Sequence, residues 1–330
     1  MTVFEEIKLK LSPFWDDFEK LMSSALVSKS NMLNAINNYL LEASGKQLRP
    51  MLAIAVANAG SGLCNDKVVA CAAASELIHT ATLLHDDVVD DSDKRRGRLT
   101  VKNAFSPGAS LLLGDYWLTK AINLLITRGC SSEVLSLFAG TLEALAEGEL
   151  IQMELAESLE TGYEDYEEII SRKTASLFVA SVKSSAIVSE MPSGEIDAVS
   201  RYAYNLGLSF QMRDDILDYY PTSVSGKDSN CDIEERKVTL PLLCAFSNNP
   251  QMESEIRNLM RTIDPMHPDK ERNAAVVTQV RNFVINNGGL ESASEILGNK
   301  LKEAIGALSV LGDSYYKEAL TSLALSLQRI

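Results

Sequence analysis

Asp86, Asp87 and Asp90 form the pattern Asp-Asp-x-x-Asp, and Asp214, Asp215 and Asp218 repeat it. Residues four apart share a helix face, so Asp86 aligns with Asp90 and Asp214 with Asp218. A single acidic run is most often a solvated face. Here each run closes a strongly apolar stretch, with Gly97 beyond the first and Pro221 beyond the second. A helix C-terminus disfavours anions by about 0.3–1 kcal/mol each, and like charges four apart add to that. A cation should therefore offset the clash. Basic residues follow both runs: Lys94, Arg95 and Arg96 after the first, Lys227 and Lys237 after the second. Carboxylates without His or Cys select a hard, oxygen-loving ion, and Mg²⁺ completes its shell with water and phosphate oxygens. Two such clusters ringed by Lys and Arg would hold a diphosphate through bridging Mg²⁺ and make it a good leaving group. His79, His85 and His267 are the only histidines, which leaves few candidates for a His-centred acid–base mechanism.

The elements that must position these acids are helices. Apolar residues recur at three- and four-residue spacing, and no stretch keeps a period of two. Gly and Pro number only 18 and 9 and are clustered, which argues against a β-sandwich or barrel. The pattern predicts helices over 66–91, 110–127, 132–157, 163–189, 193–219, 238–246, 253–263, 273–285 and 290–311. The fold class expected is all-α, a single large helical bundle over 1–330. The turn-rich stretch 221–236 is too long for an idle connection inside such a bundle.

Composition narrows the function further. The chain has 330 residues, 46% of them hydrophobic and 23% charged, which is ordinary globular usage. A net charge of −14 speaks against a general nucleic-acid binder. Five cysteines in an odd count, without close pairs, suggest a reduced chain. No run approaches 18 apolar residues, so no transmembrane segment is expected. The first residues lack the basic-then-apolar order of a signal peptide, so a cytoplasmic protein is expected.

Several motifs, taken in order, closely resemble the trans-isoprenyl diphosphate synthases, the polyprenyl synthetase family. Gly45-Lys46-Gln47-Leu48-Arg49-Pro50 is similar to the family's Gly-Lys-x-x-Arg-Pro element. Leu84-His85-Asp86-Asp87-Val88-Val89-Asp90, followed by Arg95-Arg96-Gly97, resembles the first aspartate-rich motif. Lys173-Thr174-Ala175 resembles the central Lys-Thr pair. Phe210-Gln211 with Asp214–Asp218 resembles the second aspartate-rich motif, and Lys237-Val238-Thr239-Leu240-Pro241 the element after it. Each alone has a bland reading. Lys46 and Arg49 would serve to cap a helix, Arg95 and Arg96 to balance nearby acids, and His79, Thr174 and Gln211 as structural residues.

The resemblance implies the isoprenoid synthase fold with a central cavity, and a head-to-tail prenyl transfer. An allylic diphosphate of the farnesyl or geranyl type ionises, the double bond of isopentenyl diphosphate attacks, and a proton is lost. It implies about three Mg²⁺ ions per active site, with Asp86, Asp90 and Asp214 as direct ligands and Asp87, Asp215 and Asp218 in support. Lys46, Arg49, His79 and Arg96 would bind isopentenyl diphosphate. Arg95, Lys173, Thr174, Gln211, Lys227 and Lys237 would bind the allylic diphosphate, with Lys173 and Lys227 in catalytic roles. A homodimer is implied on the same ground. Asn230 and Arg236 stand where the family usually has glycines, and Arg adopts positive φ only at a cost.

Chain length is expected to depend on residues before the first motif. Ala81 and Thr82 hold the family's length-setting positions, and Ile78 lies on the same side of the helix as Ala81. A small Ala81 would let a growing tail pass, giving roughly six or more C5 units, as in the octaprenyl-type members that make quinone side chains. Phe138 and Trp117 are the bulky candidates for a floor. The alternatives are a geranylgeranyl or farnesyl diphosphate synthase, a terpene cyclase, and a subunit of a heteromeric synthase.

Overall fold

Twenty-four residues without Gly or Pro, Asp66–Val89, form the helix that delivers the first acidic run. In a computed structural model of the protein, residues 3–42, 45–221, 231–264 and 270–328 are described. They form helices α1 (Val3–Leu11), α2 (Phe14–Ala25), α3 (Asn31–Glu42), α4 (Leu48–Ala59), α5 (Asp66–Val89), α6 (Val101–Ala104), α7 (Pro107–Thr127) and α8 (Ser132–Ser158). There follow α9 (Tyr163–Ile170), a π-helical turn Ser171–Ala175, α10 (Ser176–Val188) and α11 (Ser193–Leu217). The chain closes with α12 (Cys231–Glu234), α13 (Leu240–Asn248), α14 (Glu253–Met260), α15 (Lys270–Asn286), α16 (Gly289–Ala307) and α17 (Tyr315–Leu327). The protein is all-α, as its spacing predicts, with one hairpin of β1 (Lys94–Arg95) and β2 (Arg98–Leu99) among the described residues.

Two compact units emerge. One comprises Met1–Gly140, Leu177–Ser200 and Leu308–Ser322; the other comprises Thr141–Ser176, Arg201–Ala307 and Leu323–Ile330. In the first unit α5 is the central rod, packed most extensively on α7 and also on α4 and α2. Asn65 starts it by accepting from the backbone N–H groups of Lys67 (2.9 Å) and Val68 (3.3 Å), the usual N-cap arrangement. Ala70, Ala74, Ile78 and Ala81 are all fully buried along it. The helix has the length and hydropathy of a membrane span, yet 72% of its apolar window is buried inside the protein. It is a core helix. In the second unit α13 packs on α16 and α15, with Leu240, Leu242 and Ala245 fully buried.

The sequence pattern missed α1 to α4, the four-residue α6 and α12, and α17. In α3 only Ile36 and Asn37 are buried, too few to show a period, whereas α4 is buried almost throughout and so shows no one-sided pattern. The stretch read as one helix over 163–189 is broken at its middle by the π turn.

Candidate active site

The first acidic run ends where α5 ends. Asp90 is the C-cap and Asp91 takes the left-handed conformation (φ 50°), with the Ser92 N–H returning to the Asp87 carbonyl at 3.1 Å. That six-to-one bond is the helix-stop motif usually made with glycine. Asp87 is buried, and the Arg95 guanidinium donates to its Oδ1 at 2.8 Å. Asp86 is half-buried and Asp90 exposed. Arg95 is placed by the hairpin, whose two-residue loop Arg96-Gly97 has positive φ at both positions (53° and 77°). This is the turn that suits the twist of paired strands. Thr100 ties the hairpin base by donating from Oγ1 to the Ser92 carbonyl at 2.9 Å, and Lys102 pairs with Asp91.

Around the same end of α5 stand the residues expected to bind isopentenyl diphosphate. Gln47 enters α4 in the left-handed conformation (φ 53°), and Lys8 of α1 donates to its Oε1 at 3.1 Å. This holds the turn that carries Lys46 and Arg49. The Arg96 guanidinium packs over Gly45, where a Cβ would stand 2.5 Å from its central carbon. Lys46 is exposed, with its ammonium 5.0 Å from the Phe4 ring centroid. Arg49 is buried 4.6 Å from the Phe178 ring centroid, and its Nε has no hydrogen-bond partner. Burial pulls its pKa down to about 10 although Glu76 opposes the shift. Burial, reinforced by Arg49, Arg96 and Arg95, holds His79 well below the ordinary imidazole range, so it is neutral. Glu76, absent from the residues singled out in the sequence, is a buried carboxylate facing Arg49, Arg96 and Lys8, and burial raises its pKa. It sits three residues before His79, which is the signal that was available.

Ala81 and Ile78 are fully buried, and half-buried Thr82 donates to the His79 carbonyl at 2.8 Å. Phe138 is fully buried. Trp117 is almost fully buried. Its Nε1 donates to Asn37 at 2.9 Å, and it shares a cavity of about 70 Å³ with Thr80, Leu83 and Leu84, on a different face of α5.

In the second unit Asp215 is buried and held from both sides. The Tyr166 hydroxyl donates to its Oδ2 at 2.6 Å and Gln211 Nε2 to its Oδ1 at 2.8 Å, while Thr174 Oγ1 donates to Gln211 at 2.8 Å. Asp218 accepts from the backbone N–H groups of Cys231 (3.0 Å) and Asp232 (3.2 Å), and so caps α12. Asp214 is half-buried. Burial raises Asp215 to about 7, and its neighbours Asp214 and Asp218 add to the rise. Asp218 is raised to about 6, chiefly by burial, and Asp232 is raised well above the usual range, by burial and then by Asp215 and Asp218. Burial therefore favours the protonated form of these carboxyls, and their mutual proximity adds to the effect. Among the described residues no three metal-binding side chains converge on one point.

Lys173 and Thr174 lie in the π turn, a form of bulge that often marks functional sites. Lys173 donates to Gln152 Oε1 at 2.6 Å and forms an ion pair with Glu149, and Lys237 pairs with Glu235. Lys173, Gln211, Asp214, Asp215 and Lys237 line a cavity of about 210 Å³. Arg236 adopts φ 60°, the conformation its glycine-like position demands, and Nη2 donates to the Glu157 carbonyl at 2.8 Å. Lys227 and Asn230 lie outside the described residues. Tyr166, Asp232, Glu149 and Gln152 were not singled out in the sequence. Tyr166 stands in α9, seven residues before Lys173 of the π turn.

An all-α protein whose helices end in paired aspartate clusters, each beside a set of basic residues, has the plan of an isoprenoid synthase. Residues 30–278 match the polyprenyl synthetase family model. The chain is 34% identical to the octaprenyl diphosphate synthase of Haemophilus influenzae, over 97% of its own length and 95% of the relative's. It is 36% identical to that of Escherichia coli, over 91% and 90%. A polyprenyl synthase from Caulobacter crescentus, solved with calcium and isoprenyl diphosphate, superposes with a TM-score of 0.89 at 32% identity, covering 99% of this chain and 98% of that one. The protein belongs to the polyprenyl synthetase family and is a prenyltransferase. The family's enzymes use a divalent metal and bind isopentenyl and allylic diphosphates.

Proposed function

We propose that this protein is a long-chain trans-polyprenyl diphosphate synthase that adds isopentenyl diphosphate head-to-tail to a farnesyl- or geranyl-type primer. Its product reaches hexaprenyl length or longer and serves quinone side chains. The observation that carries the reaction is the difference in burial within each motif: Asp87 and Asp215 are buried, whereas Asp86 and Asp214 are half-buried and Asp90 is exposed. Asp87, Asp215 and Asp218 are engaged by Arg95, by Tyr166 and Gln211, and by backbone N–H groups, and so act as supports. Asp86, Asp90 and Asp214 are the direct ligands in this proposal. They would hold Mg²⁺, with three ions per active site by the family's pattern. Bound Mg²⁺ neutralises charge on the departing diphosphate.

Lys173, Thr174, Gln211, Lys237, Arg95 and Lys227 orient the allylic diphosphate. Lys46, Arg49, His79 and Arg96 fix the isopentenyl diphosphate, with neutral His79 as a hydrogen-bonding group and not a charge. The carbon–oxygen bond of the primer breaks, the double bond of isopentenyl diphosphate forms the new carbon–carbon bond, and the released diphosphate takes the proton lost. The buried, small Ala81 supports a long tail, with Ile78 and Thr82 beside it. The proposal includes a cytoplasmic homodimer, supported by the exposed Leu112 (72%) and Ile126 (56%) on α7. The test is to incubate the protein with Mg²⁺, farnesyl diphosphate and labelled isopentenyl diphosphate and size the products. A ladder past six units is expected. A stop at four units overturns the long-chain reading, and product formed from the primer alone points to cyclase chemistry.

A further inference from the structure

Lys173 is not presented to its cavity as an unpaired cation. Gly148 of α8 lets that helix close on the π turn: a Cβ there would stand 2.8 Å from Arg172 Cβ and 2.9 Å from Lys173 Cγ. The approach sets a ladder of contacts. Glu147 pairs with Arg172, Glu149 with Lys173, and Gln152 accepts from Lys173 at 2.6 Å. The Lys173 and Glu149 side chains are 25% and 24% exposed, so the pair meets solvent, and Lys173 and Gln152 line the same 210 Å³ cavity. Lys237, the other lysine lining that cavity, also carries its own carboxylate, Glu235.

We propose that Glu149 is the resting-state counter-ion of Lys173, displaced when a diphosphate arrives, while Gln152 keeps the ammonium aimed into the cavity. Partly exposed ion pairs are weak, about 0–1 kcal/mol, so a multiply charged anion exchanges readily with one carboxylate. Two lysines lining one small cavity without counter-ions would repel each other. Glu149 thus acts through Lys173 as a positioning residue, and it opposes diphosphate binding by its charge. The inference rests on the reading of Lys173 as a diphosphate ligand.

The test is calorimetric titration of inorganic diphosphate at fixed Mg²⁺ into the full-length protein and the variants Glu149→Gln, Lys173→Met and both together. Glu149→Gln keeps an acceptor of the same shape and removes the charge. It is expected to tighten binding about 3- to 10-fold with an unchanged melting temperature. Lys173→Met is expected to weaken binding, and the double variant to match it, with no residual gain from Glu149→Gln. Unchanged or weaker binding in Glu149→Gln, with Lys173→Met still weak, overturns the counter-ion role alone. A gain from Glu149→Gln that persists without Lys173 also overturns it. Wild-type affinity in Lys173→Met overturns the ligand reading and the counter-ion role together.

Discussion

Replacing Asp215 by Asn should make the metal-free protein more stable at pH 8 and leave it unchanged near pH 4. Asp215 is almost fully buried, and its carboxyl is raised from 3.8 to about 7, by burial first and by Asp214 and Asp218 after that. The native state therefore binds this proton more tightly than the unfolded chain does. The stability this contributes is complete below pH 4 and is lost as the pH rises through about 7. Ionising the native carboxyl costs about 4 kcal/mol by pH 8, at 1.4 kcal/mol for each tenfold change in proton affinity. Asn removes that cost and fits the site. Its Oδ1 accepts from Gln211, and its Nδ2 donates to the Tyr166 hydroxyl in place of the bond at 2.6 Å. Trading a charged acceptor for a neutral one returns about 1 kcal/mol, which leaves a net gain of about 2–3 kcal/mol. Thermal unfolding in a chelating buffer from pH 4 to 8 measures it, as a difference between variant and wild type that grows with pH. The difference isolates Asp215 from His79, whose titration runs in the opposite direction. A variant no more stable than wild type at pH 8, or a difference independent of pH, refutes the account of Asp215 as an uncompensated buried charge.

Asp86→Ala and Asp214→Ala should each lower turnover by at least about 10³-fold with a melting temperature near wild type, since neither side chain is buried core. Wild-type activity in either, measured with Mg²⁺, removes that residue from the metal set. Ala81→Phe places a ring where the existing side chain is fully buried, and should shorten the products to three or four C5 units in the sizing assay. Gly148→Ala brings a Cβ within 3 Å of Arg172 and Lys173 carbons, so it should cost about 1–3 kcal/mol in a denaturant titration and raise KM for the allylic primer more than for isopentenyl diphosphate.

The legible parts of this molecule were those with a strong local signal. The apolar run of α5 and the acids that close it could be read because a long helix buried on most faces writes its hydrophobic residues almost continuously, and charges at its end stand out against them. Arg236 was legible in the same way. A side chain at a position that wants glycine predicts positive φ, and the backbone adopts it at 60°. The hairpin escaped because two residues per strand are too few to show alternation. Glu149 and Tyr166 escaped for a different reason. Their significance lies in partners 24 and 49 residues away, Lys173 and Asp215, and no local period encodes that.

What the aspartate motifs do not reveal alone is the division of labour inside each one. The repeated pattern makes all six acids look equivalent, yet burial separates them. In each motif the second Asp falls on the inward side of its helix, where Arg95 meets Asp87 and where Tyr166 and Gln211 meet Asp215. The first Asp, one residue earlier and about 100° around the helix, stays partly open to solvent. The third parts company between the motifs: Asp90 is exposed, whereas Asp218 is spent on the N-terminus of α12. Bonds to the N-terminus of α12 tie the second motif to the segment that carries Arg236 and Lys237. The first motif is tied instead to a two-residue turn whose Arg96 holds positive φ, a conformation that costs about 1 kcal/mol and persists only where the surroundings fix it. The first motif is thus braced by a two-residue turn and the second by a bond to α12, so the two clusters answer to different neighbours although they share one pattern.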